Sequence, residues 1–146
     1  MATSEKPLYK SISITSSKVD EPVTSKRYRS ISTVNPNANS FNLYDISVIK
    51  QDIINHFHIR QGEKLENPNF GTIIWDILFE PLTDGLKEAI IRNVTEIINY
   101  DPRVRADKVT VDTYESGIQI ECKLTYLPYS ISETMRLQFD QSAGLI

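Results

Sequence analysis

A nearly continuous run of apolar residues lies between Pro68 and Pro81, in the sequence PNFGTIIWDILFEP. Every residue from Ile73 to Phe79 is apolar except Asp76. A helix that is apolar almost all round is buried on most of its sides, and Pro81 prevents it from continuing. We therefore predict a short buried helix that forms the structural hub of one hydrophobic core. The residues of this hub are Pro68, Phe70, Gly71, Trp75 and Phe79.

Two longer helices are predicted on either side of this segment. The first runs from about Leu43 to His58, with Asn42 as its N-cap. The second runs from about Asp84 to Asn99, with Thr83 as its N-cap, and Pro102 follows its end. In both segments apolar residues recur every three or four positions, which is typical of a helix with one buried face. The buried positions are Ile46, Ile49, Ile53 and Phe57 in the first helix, and Leu86, Ile90, Val94 and Ile97 in the second.

After Pro102 the apolar period changes from helical to two. Apolar and polar residues alternate at Val109–Val111, then from Ile118 to Tyr126, and again from Ile131 to Phe139. Short turns between alternating runs indicate an antiparallel meander with one buried face. The chain is therefore predicted to be an α+β protein, with an N-terminal extended arm, two long helices and one short buried helix packed on a small antiparallel β-meander.

The first forty residues differ from the rest in composition. They are rich in Ser, Thr, Lys and Pro, and they carry six basic and three acidic residues. We therefore predict an extended basic arm over residues 1–40 and a single domain over residues 41–146. Two pentapeptides in the arm resemble each other, YKSIS from Tyr9 and YRSIS from Tyr28, and each alternates like a short strand. Either can pair with a partner's sheet or lie along a groove.

Composition argues against several classes of function. The net charge is −3, and an acidic domain is a poor non-specific binder of nucleic acid. We expect no membrane span, since no apolar run approaches the length needed, and the N-terminus lacks the apolar core of a cleaved signal peptide. The lone Cys122 is expected in the core. His56 and His58 lie on different helix faces and are expected to be surface residues, so neither a metal nor another cofactor is predicted.

Four short motifs in order resemble the baseplate wedge and sheath-initiator family of contractile phage tails, which includes the equivalent baseplate subunit of type VI secretion systems. They are RQG from Arg60, NPNFG from Asn67, LFE from Leu78 and YDPRV from Tyr100. The helix-to-strand corner of that family usually reads Glu-Pro-Arg, and here Asp101 stands in place of the glutamate. The resemblance covers about the last two-thirds of the chain.

The resemblance implies a protein that docks on other wedge proteins. In the family this corner helps to dock the subunit on a helical core bundle, so Asp101, Pro102 and Arg103 are the predicted partner-binding residues. From the residues alone, a solvated Arg103 is the favoured interpretation, and Arg103→Ala is expected to change stability by about 0.5 kcal/mol or less. The implied location is the tail baseplate of a virion assembled in the host cytoplasm.

The resemblance also implies that the subunit templates the first ring of tail sheath by strand pairing. The meander has two edge strands, and an uncovered edge can accept a further strand. Alternatively, the arm or the tail from Gln141 to Ile146 covers the edge. The residues predicted to pair with sheath are Ile131, Met135, Leu137, Gln138 and Phe139.

A tail-associated, lysozyme-like glycoside hydrolase is the alternative function. Some members of the family carry a lysozyme label, and glycoside hydrolysis needs a pair of carboxylates. Glu66, Asp76 and Glu80 flank the apolar segment and are the candidates. Asp76 and Glu80 are four residues apart, a spacing that is also ordinary on a solvated helix face. A non-enzymatic subunit is therefore the main prediction.

Overall fold

The computed structural model describes residues 27–33 and 42–145. The described residues form an α+β fold, as predicted, with helices of 13, 4 and 16 residues. The elements in chain order are β1 (Arg29–Ile31), β2 (Asn42–Tyr44), α1 (Ile46–His58), α2 (Ile74–Ile77), α3 (Asp84–Asn99), β3 (Val104–Tyr114), β4 (Gly117–Tyr126), β5 (Ile131–Asp140) and β6 (Gly144–Leu145).

The strands form two sheets in the described part of the chain. In the larger sheet the order is β3-β4-β5-β6, with every neighbouring pair antiparallel. Alternate side chains of β4 are buried, as expected for a sheet with one covered face. Cys122 is one of them, and burial raises the pKa of its thiol to about 12. Strands β1 and β2 form a separate antiparallel pair.

Helix α3 has the predicted bounds. The side chain of Thr83 accepts a hydrogen bond from the backbone N–H of Leu86 at 3.3 Å, which caps the first turn. The buried face includes Ile90, Val94 and Ile97. This helix packs beside β3, and α1 packs beside α3. The core lies between these helices and the inner face of the sheet.

Helix α1 begins at Ile46, so the predicted start at Leu43 is wrong. Residues 42–44 belong instead to β2, and Asp45 follows with a φ of 52°. A residue in this left-handed conformation cannot be part of an α-helix. The backbone N–H of Asp45 donates to the carbonyl oxygen of Tyr28 at 3.1 Å, so a contact distant in sequence determines where the helix starts.

The segment from Pro68 to Pro81 is buried on one side only. Phe70, Ile74 and Leu78 are buried, and Trp75 is half-buried with its indole N–H donating to the carbonyl oxygen of Phe57 at 3.0 Å. Phe79, however, is 73% exposed, so its prediction as a core residue is wrong. A helix of four residues has one inward face, and Phe79 follows that helix on the outward side.

Gly71 is needed where this segment meets residues 59–61. Its φ is 134°, a conformation that side chains disfavour. A Cβ at this position would lie 2.6 Å from the carbonyl carbon and oxygen of Arg60. The close approach allows the Thr72 N–H to donate to Ile59 and the Gln61 N–H to donate to Thr72. Asn93 of α3 holds the same loop, donating to the carbonyl of Gly71 at 2.9 Å.

Candidate protein-interaction sites

The predicted docking corner lies between the end of α3 and the start of β3. Asp101 is 6% exposed, whereas Pro102 is exposed. The Asp101 carboxylate accepts a hydrogen bond from the backbone N–H of Arg103 at 2.9 Å, and its two oxygens also accept from the guanidinium. The corner is therefore a turn closed by its own acidic and basic residues.

Arg103 also joins this corner to α1. Its Nη2 atom lies 2.6 Å from a carboxylate oxygen of Asp101 and 2.6 Å from one of Asp52. The Arg103 side chain is 22% exposed, and its guanidinium carbon lies 5.0 Å from the centre of the Tyr28 ring. The expectation of a solvated Arg103 is therefore wrong. The docking role of Asp101, Pro102 and Arg103 stays a prediction.

The cluster favours the charged forms of both partners. Burial raises the pKa of Asp101, but the hydrogen bonds from Arg103 outweigh it and hold that pKa below its ordinary value. The hydrogen bond to Asp101 is the largest cause that raises the pKa of Arg103, and burial opposes it. A buried carboxylate with this partner gives the corner a fixed geometry, since Arg donates in a planar fork.

An aromatic cluster continues from this corner. The His56 ring is half-buried and packs edge-on against Phe70 and Tyr100, at centroid distances of 5.2 and 5.8 Å. Lys64 lies over both of these rings, 4.9 Å from each centroid. His56 is thus not an ordinary surface residue, whereas His58 is exposed as predicted. Burial is the largest cause that lowers the pKa of His56, against the opposing charges of Asp101 and Asp52.

Sequence reasoning missed Asp52 and the role of His56. Both residues lie on α1 one turn apart, and together with Tyr100 and the corner they line an open cleft of about 330 Å³. The spacing of Asp52 and His56 indicates that they share a helix face. The spacing does not indicate that Arg103, which lies 51 positions after Asp52, would contact this helix face.

The predicted sheath-pairing residues lie along β5, at the outer edge of the sheet. Leu137 and Phe139 are buried, Met135 and Gln138 are half-buried, and Ile131 is 47% exposed. Strand β6 pairs only with the last two residues of β5, since Phe139 faces Leu145 and Asp140 faces Gly144. The tail thus covers one end of this edge. Among the described residues, no strand pairs with Ile131–Gln138 on that side.

A groove of about 530 Å³ lies beside the uncovered part of β5. Its apolar lining comes from α1, β5 and β6, and its polar rim includes Thr33, Asn55 and Arg136. The lining residues are Ile54, Met135, Leu137 and Leu145, with His58 at the side. The groove therefore combines apolar side chains with the edge of a strand.

A single carboxylate holds the tail against β5. One oxygen of Asp140 accepts hydrogen bonds from the backbone N–H groups of Ser142 and Ala143, at 2.8 and 2.9 Å. The other oxygen accepts from the hydroxyl of Ser116 at 2.6 Å. These bonds, led by the one from Ser116, lower the pKa of Asp140. The turn into β6 is thereby fixed to the β3–β4 hairpin.

No cluster of three or more His, Cys, Asp or Glu side chains in residues 27–33 and 42–145 could hold a metal ion. Within the same ranges, no helix is both long and apolar enough to cross a membrane.

A comparison with known protein families identifies the family of this chain. Residues 45–136, which include the corner and most of β5, match the sequence profile described as baseplate wedge protein gp25. The chain belongs to this family of baseplate wedge proteins. It is a structural protein of the contractile-tail baseplate class. No curated protein matches the sequence.

Two solved structures share the fold. A crystal structure of a proposed tail lysozyme from Geobacter sulfurreducens superposes with a TM-score of 0.55 and 22% identity, covering 66% of this chain and 92% of that one. A cryo-EM structure of the anti-feeding prophage (AFP) baseplate, symmetrised six-fold, gives a TM-score of 0.56 and 18% identity. That match covers 68% of this chain and 86% of the other.

Proposed function

We propose that this chain is a non-enzymatic subunit of a contractile tail baseplate wedge that templates the first ring of tail sheath by strand pairing. The observation that carries the proposal is the edge of β5 from Ile131 to Gln138, which no strand covers among the described residues and which lies beside the apolar groove. An edge strand presents unpaired N–H and C=O groups, and an extended segment of a partner can satisfy them. Alternate side chains of that segment can then occupy the groove.

The orientation of the β5 backbone supports this use of the edge. The backbone N–H of Gln141 donates to the carbonyl of Ser116, on the β4 side, at 2.9 Å. The pairing of β5 with β4 has no register shift, and in an antiparallel ladder alternate residues point to the same neighbour. Leu137 and Phe139 therefore point their N–H groups toward β4. Gln138 points its N–H away from β4, toward the edge that no described strand covers at this position.

Gln138→Pro tests the proposal, because it removes an N–H from the open edge and leaves the β4 ladder intact. We expect the variant to fold and to enter the baseplate, but to support much less sheath polymerisation, measured as tail length by electron microscopy. Gln138→Ala is the matched control, since it removes the side-chain hydrogen bond to Gln119 but keeps the backbone N–H. Normal sheath on the proline variant would exclude β5 as the template.

The corner is proposed to dock on the helical core bundle of neighbouring wedge proteins. Because Asp52 and Asp101 bind the Arg103 guanidinium within the chain, the exposed Pro102 and the cleft beside it form the contact surface. The ion pairs then keep this surface in one conformation. The proposed site of action is the tail baseplate of a virion assembled in the host cytoplasm.

The hydrolase alternative has less support. A glycosidase needs a general acid kept in a desolvated pocket and a second carboxylate close to it. Glu66, Asp76 and Glu80 are all exposed. We therefore expect no loss of turbidity when purified protein is added to peptidoglycan suspensions. Clearing of the suspension that disappears in an Asp76→Asn or Glu80→Gln variant would revive this function.

A further inference from the structure

Residues 27–33 bind to the rest of the domain as a short extended peptide would. Strand β1 pairs with β2, and side chains along the segment alternate between half-buried and exposed. The half-buried side chains, which face the domain, are Tyr28, Ser30 and Ser32. The exposed ones are Arg27, Arg29, Ile31 and Thr33.

Asp45 recognises the backbone at the start of this peptide. Its Oδ1 atom accepts hydrogen bonds from the backbone N–H groups of Arg27 and Tyr28, at 2.9 and 3.2 Å. Its own N–H donates to the carbonyl oxygen of Tyr28 at 3.1 Å. Because these three bonds involve only the main chain of the peptide, they do not depend on its side chains.

Gln51 recognises the backbone at the other end. This residue is only 4% exposed. Its amide nitrogen donates to the carbonyl of Ile31 at 2.9 Å, and its amide oxygen accepts from the N–H of Thr33 at 2.7 Å. The Gln51 amide thus binds the peptide as a neighbouring strand would, and both of these bonds are to main-chain atoms of the peptide.

Tyr28 is the side-chain anchor of the peptide. It packs against the hydrophobic core, and the Arg103 guanidinium lies over its ring. The inward positions that follow carry serine, whose side chain is small. The groove formed by β2, Asp45, Gln51 and Arg103 therefore selects a tyrosine, then small residues at every second position.

The sequence contains a second segment with this pattern. YKSIS, from Tyr9, has the same residues as YRSIS at all three inward positions and differs only by Lys10 in place of the outward Arg29. The flanking outward positions hold Leu8 and Ile14, both of which keep the N–H that Asp45 or Gln51 would accept. We propose that this groove is a binding site for Tyr-basic-Ser-Ile-Ser strands, and that residues 9–13 can replace residues 28–32 in it.

The exchange would change the reach of the N-terminal arm. The two copies are 19 residues apart (28 − 9 = 19), so replacement moves the point of attachment by that length of chain. The incoming copy comes from the same molecule or from a second one. In the second case the groove links neighbouring subunits through their arms.

Disulfide trapping in the full chain tests the exchange. Ile31 and Asn42 face each other as a non-hydrogen-bonded pair in the β1–β2 ladder, a position where Cα atoms lie close enough for a disulfide. Ile12 is the equivalent of Ile31. We expect Ile12→Cys with Asn42→Cys to form a disulfide under mild oxidation, read by mass spectrometry of peptides. Cys122 is buried and does not compete.

Two control cysteine pairs and two tyrosine variants make the disulfide result decisive. Ile31→Cys with Asn42→Cys is the positive control, and Ser17→Cys with Asn42→Cys, which lacks a tyrosine three residues earlier, is the negative control. Tyr28→Ala should increase the Ile12 disulfide and Tyr9→Ala should abolish it. An Ile12 yield no higher than the Ser17 yield overturns the proposal. Failure of the Ile31 pair overturns it too, because the groove itself is then not formed.

The disulfide-linked product also shows which molecule supplies the strand, since a non-reducing gel separates internally linked monomers from linked dimers. Either product supports the proposed binding site.

A peptide experiment gives a second measurement. Fluorescent PLYKSISIT should bind the full-length protein that carries both Tyr9→Ala and Tyr28→Ala, in which neither internal copy keeps its tyrosine. The Tyr→Ala version of the peptide should bind about tenfold more weakly, as expected for loss of an aromatic anchor. Equal binding of the two peptides would contradict the proposed specificity.

Discussion

Arg103 shows how much a partner that is distant in sequence changes the role of a side chain. The motif Asp-Pro-Arg predicts a turn with opposite charges, and such a turn is present. The partner on α1, Asp52, lies 51 positions earlier, and no periodicity indicates that contact. A sequence therefore identifies the corner, while packing determines that its charges are bound within the chain.

Arg103→Ala is expected to lower the free energy of unfolding by about 2 kcal/mol, because it leaves the buried Asp101 carboxylate without its partner. The expected loss is smaller than for a fully buried pair, since Arg103 is partly exposed. Urea unfolding measures the change. Arg105→Ala is the control: that side chain is 61% exposed and pairs with Asp107, so its loss should cost about 0.5 kcal/mol or less. Equal effects of the two substitutions would show that the buried pairing does not stabilise the fold.

His56 predicts a pH dependence near neutrality. Burial lowers its pKa in the folded chain, so the unfolded chain binds more protons between that pKa and about 6.5. The stability is therefore complete above this range and is lost as the pH falls through it. Asp101, whose pKa is lowered, begins to lose its contribution only at more acidic pH, near its unfolded value of about 4.

His56→Phe keeps a ring against Phe70 and Tyr100 but removes the titration. We expect the variant to lose less stability than the wild type between about pH 7.5 and pH 5.5, measured by denaturant unfolding at each pH. Parallel curves for the two proteins would show that His56 is not the group responsible.

Among the elements, those determined by local signals were predicted best. Thr83 and Pro102 mark the two ends of α3, and the alternation of apolar residues in β4 indicates its buried face. An N-cap residue, a proline and an apolar period can all be recognised in the sequence. The start of α1 was not readable, since it depends on the contact of Asp45 with Tyr28. The prediction of Phe79 as a core residue was wrong for a related reason, because an apolar run does not show which side of a short helix meets the core.

The β3–β4 hairpin has a steric requirement at its second strand. A Cβ on Gly117 would lie only 1.9 Å from the carbonyl oxygen of Phe139, so Gly117→Ala forces the β4–β5 pair apart. We expect a loss of about 2 kcal/mol in unfolding free energy. Gly85→Ala is the control, because nothing lies within 4 Å of its Cβ position in α3 and the change should stabilise the helix by up to about 1 kcal/mol. Thermal and urea unfolding of both variants decide this, and an unaffected Gly117→Ala protein would contradict the close approach.

For the whole molecule, family membership and geometry lead to one expectation about assembly. Pro102 is exposed at the proposed docking surface, so Pro102→Gln should leave stability nearly unchanged while reducing incorporation into wedge complexes. Co-purification with other wedge proteins measures the incorporation. Pro81→Gln, at another exposed proline, is the control. Equal incorporation of both variants would place the docking surface elsewhere.

The two-residue strand β6 limits what the sheet can accept. It pairs with Phe139 and Asp140, and among the described residues no strand pairs with Ile131–Gln138 on that side. At ~3.4 Å per residue this stretch is roughly 27 Å long. A strand that pairs with this stretch would meet Leu145 of β6 at one end, so β6 limits the length of such a strand on that side.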